Sequence, residues 1–394
     1  MNKTPEWTRP LSATPLPPSA PAGTVSDDYM VNSVAISDDG SRIIAGTYYY
    51  PFDGTQRMQT DGTFGVYCYD SKGDRQWADD FEGDEGVYSV AISTDGKIAA
   101  AGGLRQGGKY GRSGPTLGFL RAYDVATGKE LLDFKDPQFN TIVNSVAISR
   151  NGRVIGAGTK TSLYVFSALG GSFSKAPAAP FGVTQSVDSI AIAPGGDWFA
   201  ACGKNGCVYT GEVKSGMVKS PAVWTEPSHT HFVSVAIPRS GDQFAVAGGS
   251  VVYLFGRKSA GSGYIAQYKL PASSGKSIRF VSMSSDGKLA IAAANHGTAG
   301  ILFALTVGTN GLTPAWSFPT THNPNSTSTD KAGRYFTLAD GYPDDVPGSF
   351  CLYKNTGKIW EYPTPKMNWP MVISADGKSI AGGGDDNKLY FFVP

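Results

Sequence analysis

Eight stretches of this chain are versions of one another, and each runs into a turn glycine. They are "VNSVAISDDG" to Gly40, "VYSVAISTDG" to Gly96, "VNSVAISRNG" to Gly152, "VDSIAIAPGG" to Gly196, "VSVAIPRSG" to Gly241, "IRFVSMSSDG" to Gly287, "NSTSTDKAG" to Gly333 and "NWPMVISADG" to Gly377. The glycines are 56, 56, 44, 45, 46, 46 and 44 residues apart. A unit this short does not bury a core by itself, so the copies must cover one another's apolar faces.

The columns say what the unit is. Four residues before the glycine stand Ile36, Ile92, Ile148, Ile192, Ile237, Met283, Thr329 and Ile373; five before it stand Ala35, Ala91, Ala147, Ala191, Ala236, Ser282, Ser328 and Val372. Neighbouring strand residues point to opposite faces. The opening stretch is therefore a strand with a large residue on one face and a small one on the other, and this alternation is expected to pack stacked sheets together. A second apolar stretch follows the turn ("RIIAGT", "RVIGAGT"), then a third ("GVYCYD", "FLRAYD", "KLYFFV"), then a fourth that carries Trp77, Trp224, Trp316 or Trp360. Fifty glycines and 25 prolines suit so many tight turns. The expectation is an all-β fold, a single eight-bladed β-propeller of four-stranded antiparallel blades.

The eighth copy ends after its third strand, at "KLYFFVP", while "PEWTRPL" with Trp7 precedes the first. Residues 1–11 are thus expected to supply the closing strand of the last blade, which leaves no raw sheet edge at the ring's seam. Residues 12–28 read as a Pro-rich connector and 29–394 as the eight repeats, so that 1–394 form one domain.

The stretches "GVYCYDSKGDRQW", "GFLRAYDVATGKELLDF" and "CLYKNTGKIWEY" resemble the repeat of PQQ-like (quinoprotein-type) β-propellers, whereas "VNSVAIS-DG-RIIAGT" resembles WD40-type repeats. Both resemblances imply a propeller, and this fold hosts unrelated activities. The quinoprotein resemblance would imply PQQ, a pair of adjacent cysteines and a calcium site. No two cysteines are adjacent here, so PQQ is not expected, and no other cofactor is predicted. The Trp-Asp dipeptide that closes a WD40 repeat is also absent.

Thirty-four basic and 33 acidic residues leave a net charge of +1. No global field gathers nucleic acid, and no apolar run is long enough to insert in a membrane. The N-terminus lacks the apolar region of a signal peptide, so a cytoplasmic location is expected, although a secreted chain trimmed of its leader would read the same way. Four cysteines are too few for a disulfide framework. They read as buried thiols, with one open question at "CGKNGC", where Cys202 and Cys207 across a hairpin loop could bridge or hold a metal weakly.

Three sets of residues are candidates for function. Loops that join second to third strands share one face of a propeller with loops that join blades. On that upper face the repeat is broken by long insertions, Thr47 to Gly65 and Leu104 to Gly118, with Gly341 to Ser349 beside them. They carry Tyr48, Tyr49, Tyr50, Arg57, Arg105, Tyr110 and Arg112, residue types that anchor protein interfaces. The second set is a polar column at the channel end of the innermost strands: Asn32, Asn144, Asp188, Arg279 and Asn325. It would hold water and a stray ion, or a small ligand at the axis. The third is His229, His231, His296 and His322, which map to the same face; exposed loop histidines are the expectation, a metal site the alternative. The chain lacks GxSxG, HExxH, P-loop and EF-hand patterns, so no catalytic residue is assigned. The leading reading is a non-enzymatic scaffold that binds another protein through its upper loops. The alternative is a lactonase- or quinoprotein-like enzyme or ligand binder that uses the channel.

Overall fold

A computed structural model of the chain describes residues 3–11, 29–49, 62–83, 86–106, 117–134, 141–169, 172–175, 186–257, 260–271, 275–309, 311–342 and 346–394. Its strands form eight four-stranded antiparallel sheets, and the described residues contain no α-helix. Blade one runs outward from the axis through Tyr29–Ile36, Arg42–Tyr49, Gly62–Asp70 and Arg75–Gly83. The next six blades keep this order. Each innermost strand lies against that of the following blade, and the eighth lies against the first.

The last blade closes as the sequence predicts. Asn368–Ile373, Ile380–Gly384 and Lys388–Phe392 come from the C-terminus, and Trp7–Pro10 is added as the outer strand. Trp7 pairs with Phe391 and Pro10 with Lys388. Outer strands elsewhere carry proline, as at Pro221, Pro314, Pro319 and Pro363. Proline has no N–H to offer, so it blunts an exposed edge against further pairing.

The apolar core is divided among the blade junctions. Ile44, Phe64, Val66, Val87, Val90 and Phe119 fill the junction of blades one and two. Leu11, Val31, Val34, Tyr67, Ala381 and Phe391 fill the seam between blades eight and one. The Ile and Ala columns pack at these junctions on opposite faces, as the alternation predicts: Ile36 at the seam of blades eight and one, Ala35 and Ile92 between blades one and two. Val31, Val34 and Ser37 are buried, whereas Asn32, Ser33, Ala35 and Ile36 are only half-buried, and blades two and three repeat the pattern. The valines also fill hollows left by glycine in the second strand of the preceding blade: a Cβ on Gly46 would stand 2.4 Å from Val87 Cγ1, and one on Gly102 2.5 Å from Val143 Cγ1.

A β-bulge in every innermost strand brings its first residue, Val31 in blade one, onto the face of Val34 and Ile36. Pairing slips between Val31 and Ser33, Val87 and Ser89, Val143 and Ser145, Val187 and Ser189, Phe232 and Ser234, Ile278 and Phe280, Pro324 and Ser326, and Asn368 and Met371. An unpaired extra residue breaks strict alternation and re-aims the side chains on either side.

On the lower face the turn glycines all adopt φ between +65° and +74°, a backbone state that only glycine enters without strain. These turns are linked around the axis by backbone hydrogen bonds. Asp38 N donates to Thr94 O, Thr94 N to Arg150 O, Arg150 N to Pro194 O, Ser240 N to Ser285 O, Ser285 N to Lys331 O, Lys331 N to Ala375 O and Asp376 N to Asp38 O. The ring is broken at the step from blade four to blade five, where Pro194 has no N–H to donate.

Candidate protein-binding face and axial channel

The polar column lies beside the bulges of the innermost strands, where its Asn and Asp side chains reach the next blade and Arg279 bonds within its own. Asn32 Nδ2 donates to Val87 O and Tyr88 O, each at 3.4 Å. Asn144 Nδ2 donates to Val187 O and Ser186 Oγ, each at 3.3 Å. Asn325 Nδ2 donates to Asn368 O at 2.8 Å and Gly341 O at 3.3 Å. The three amide donors therefore act as clamps between blades. Arg279 Nε donates to the Asn295 amide oxygen at 3.2 Å, once that amide is oriented to suit its neighbours.

Asp188 is the one carboxylate of the column. Its Oδ1 accepts from Ser186 Oγ at 2.5 Å, and its Oδ2 bonds His231 Nε2 across the junction with blade five. Together with Asn144, which also reaches Ser186, this makes a polar relay over blades three, four and five.

The histidines are held apart. His231 is engaged by Asp188, and His229 Nδ1 lies 3.4 Å from Asn205 O. His322 Nδ1 lies 3.3 Å from Asp340 Oδ1, and His296 ends the second strand of blade six beside Gly275. Among the described residues no three His, Cys, Asp or Glu side chains are gathered as metal donors. Asp340 is buried, and burial pushes its carboxyl above the usual range, although Ser349 N and Ser349 Oγ donate to it and His322 Nδ1 lies beside it.

Of the loop set, Tyr50, Arg57, Tyr110 and Arg112 lie outside the described residues. Tyr49 ends its strand and Arg105 is the last residue but one of its own, with side chains outside the description. Tyr48 is buried, edge-on to Tyr88 with ring centroids 5.2 Å apart, and so belongs to the junction of blades one and two.

Cys202 and Cys207 are free thiols, and the pairing explains why. Cys202 stands opposite Val208, so Cys207, the neighbour of Val208, points to the other sheet face. Cys202 packs toward blade five and Cys207 toward blade three.

A column that the sequence reading passed over carries much of the blade-to-blade contact. Ser33, Ser89, Ser145, Ser189, Ser234 and Ser326 each accept, through Oγ, from the next blade's Val90, Val146, Ile190, Val235, Val281 and Met371 N–H. Its signal was the third letter of "VNSVAIS", a serine in six of the eight copies. The final serine works within its own turn: Ser37 Oγ donates to Asp39 and accepts from Arg42 N.

Comparison with solved structures places the fold. Chaetomium thermophilum Sqt1 superposes with a TM-score of 0.66 at 14% identity, over 93% of this chain and 95% of that one. Sqt1 bound to the N-terminus of the ribosomal protein L10 gives 0.68 at 15% identity, over 93% and 97%. The β-propeller domain of Myceliophteria thermophila Cps50 (Swd1) gives 0.56 at 13% identity, over 77% and 96%. These neighbours are WD40-type propellers, and none supports the quinoprotein side of the resemblance. No protein-family model matches the chain, nor does any curated protein sequence. At such identities the likeness is one of fold.

Proposed function

We propose that this chain is a non-catalytic propeller scaffold that binds another protein on its upper face, through the insertions of blades one and two and the neighbouring loop of blade seven. The observation that carries the reading is a propeller of the same fold, Sqt1, solved with the N-terminus of a ribosomal protein bound. A propeller offers a rigid, pre-organised face, which lowers the ordering cost of binding. The long breaks in an otherwise regular repeat fall at the second-to-third strand connections of blades one and two. Clamp duties of Asn32, Asn144 and Asn325 leave the upper mouth with fewer free donors for a small ligand, which weighs against the channel reading.

The test is recovery of a partner by the purified chain and by Arg57→Ala and Arg105→Ala variants, identified by mass spectrometry. A partner lost from both variants, at unchanged melting temperature, supports the reading. Retention by both, or loss only with lower-face variants such as Lys378→Ala, sinks it.

A further inference from the structure

The lower channel mouth is a second place where the ring gathers charge. Asp38 and Arg239 occupy the same turn position in blades one and five, half the ring apart, and their side chains meet in an ion pair. The column two residues before each turn glycine therefore projects over the axis. The turns are joined around the axis by backbone hydrogen bonds, so the column's other members stand about the same mouth. Blades three and seven place Arg150 and Lys331 at this position, across the ring from each other and a quarter-turn from Asp38 and Arg239. Both are exposed, and neither side chain has a partner among the described residues.

The mouth thus carries three cations and one anion in a protein whose net charge is +1. The acids of the adjoining column do not offset this at the axis. Asp39, Asp95, Asp286 and Asp376 each turn back onto their own turn, where each accepts a serine hydroxyl and a backbone N–H. Thr94 and Ser285 complete the rim with hydroxyl groups.

We propose that this mouth binds a small phosphorylated anion, with Arg150, Lys331 and Arg239 as its ligands and Asp38 as the internal competitor for Arg239. Guanidinium groups favour tetrahedral oxyanions because their fork of N–H donors matches two oxygens at once. A doubly charged phosphate placed at the axis reaches cations from three sides, a geometry that a single surface loop does not provide. Asp38 holds Arg239 over the axis while the site is empty, so the guanidinium is already in position and binding exchanges one anion for another. The site lies on the face opposite the proposed protein interface and does not depend on it.

The test is calorimetric titration of the whole chain with inorganic pyrophosphate at low salt. Saturable one-to-one binding is expected, weakened roughly tenfold by Arg150→Ala and by Lys331→Ala, since each removes one charge-assisted contact. Neither residue has a partner to lose among the described residues, so both variants should melt like the wild type. Asp38→Asn should tighten binding by freeing Arg239, and an outer-column control, Lys378→Ala, should leave it unchanged. The proposal is overturned if binding is not saturable, if Lys378→Ala weakens it as much as Arg150→Ala, or if a folded Asp38→Asn protein binds more weakly.

Discussion

Trp7 lies flat on Phe391, with ring centroids 5.2 Å apart and planes 4° from parallel, so the two ends of the chain stack in one blade. The same indole donates Nε1 to Ser71 O at 3.0 Å and covers Gly73 in blade one, where a Cβ would come within 2.8 Å of the ring. Trp77 repeats this at the next junction, donating to Val125 O at 2.8 Å over Gly128. One residue thus completes blade eight and ties it to blade one. Trp7→Ala is expected to cost about 3 kcal/mol, at the lower end for a large aromatic because Trp7 is only half-buried. Denaturant unfolding measures it, and an unchanged midpoint would mean that the ring holds without its seam.

Ser89→Ala removes the acceptor of the Val146 N–H, a bond of 2.9 Å. An N–H left between two blades without a partner costs about 1–3 kcal/mol. The same change at Phe280, which occupies this column in blade six, removes no such bond. Comparing the urea midpoints of Ser89→Ala and Ser145→Ala with that of an exposed serine variant checks the assignment.

Gly102 is needed for its absence of a side chain, since a Cβ there would meet Val143 Cγ1 at 2.5 Å and Val146 Cγ2 at 2.7 Å. Gly102→Ala is expected to destabilise by about 1–3 kcal/mol through overpacking. Adding Val143→Ala should return part of the loss, because the new methyl then fills the space the valine vacates. A double-mutant cycle in denaturant reads the coupling, and strict additivity would argue against the hollow.

Burial pushes the Cys68 and Cys351 thiols up to about 12 and the Cys202 thiol well above its ordinary value. Only the thiolate reacts readily. In the native protein a thiol reagent should modify half-buried Cys207 quickly and the other three only after unfolding, four in total. Fewer than four thiols in denaturant without reductant would reveal a disulfide that the pairing forbids.

Acid should weaken the lower turns. Hydrogen bonds from Lys288 N and Ser284 hold the Asp286 carboxyl below its ordinary value; at Asp39 and Asp95 burial opposes the same kind of bonds, which prevail. A folded pKa below the unfolded one, ~3.9, contributes stability that is present above that pH and is lost as pH falls through the folded value. Asp340 has the opposite sign: its raised folded pKa makes the fold gain from protonation, so its contribution falls as pH rises through that value. Asp286→Asn should therefore flatten the loss of stability below about pH 4, as Asn151 already does in blade three. Unfolding midpoints from pH 3 to 7 test it, and an unchanged slope would deny the aspartate its role.

Blade number, four strands per blade and closure through Trp7 were readable without coordinates because each is a property of sequence period. A repeat of this length with eight turn glycines and one missing last strand leaves little choice. The Ile36 and Ala35 columns pack at opposite junctions, as the alternation predicted. Strand alternation assumes unbroken pairing, and the bulge at Asn32 and its counterparts interrupts it, so Val31 joins Val34 and Ile36 on one face. The amides of the polar column, Asn32, Asn144 and Asn325, face neighbouring blades, a direction that strand alternation does not give.

The sequence by itself determined the architecture, since a period and its columns are local patterns that recur along the chain. Only the tertiary structure decided which residues meet across the ring. Arg239 and Asp38 stand 201 positions apart, and Cys202 and Cys207, close in sequence, face opposite junctions. Contacts of this kind follow from how eight sheets are arranged about an axis, and no periodicity along one strand encodes them.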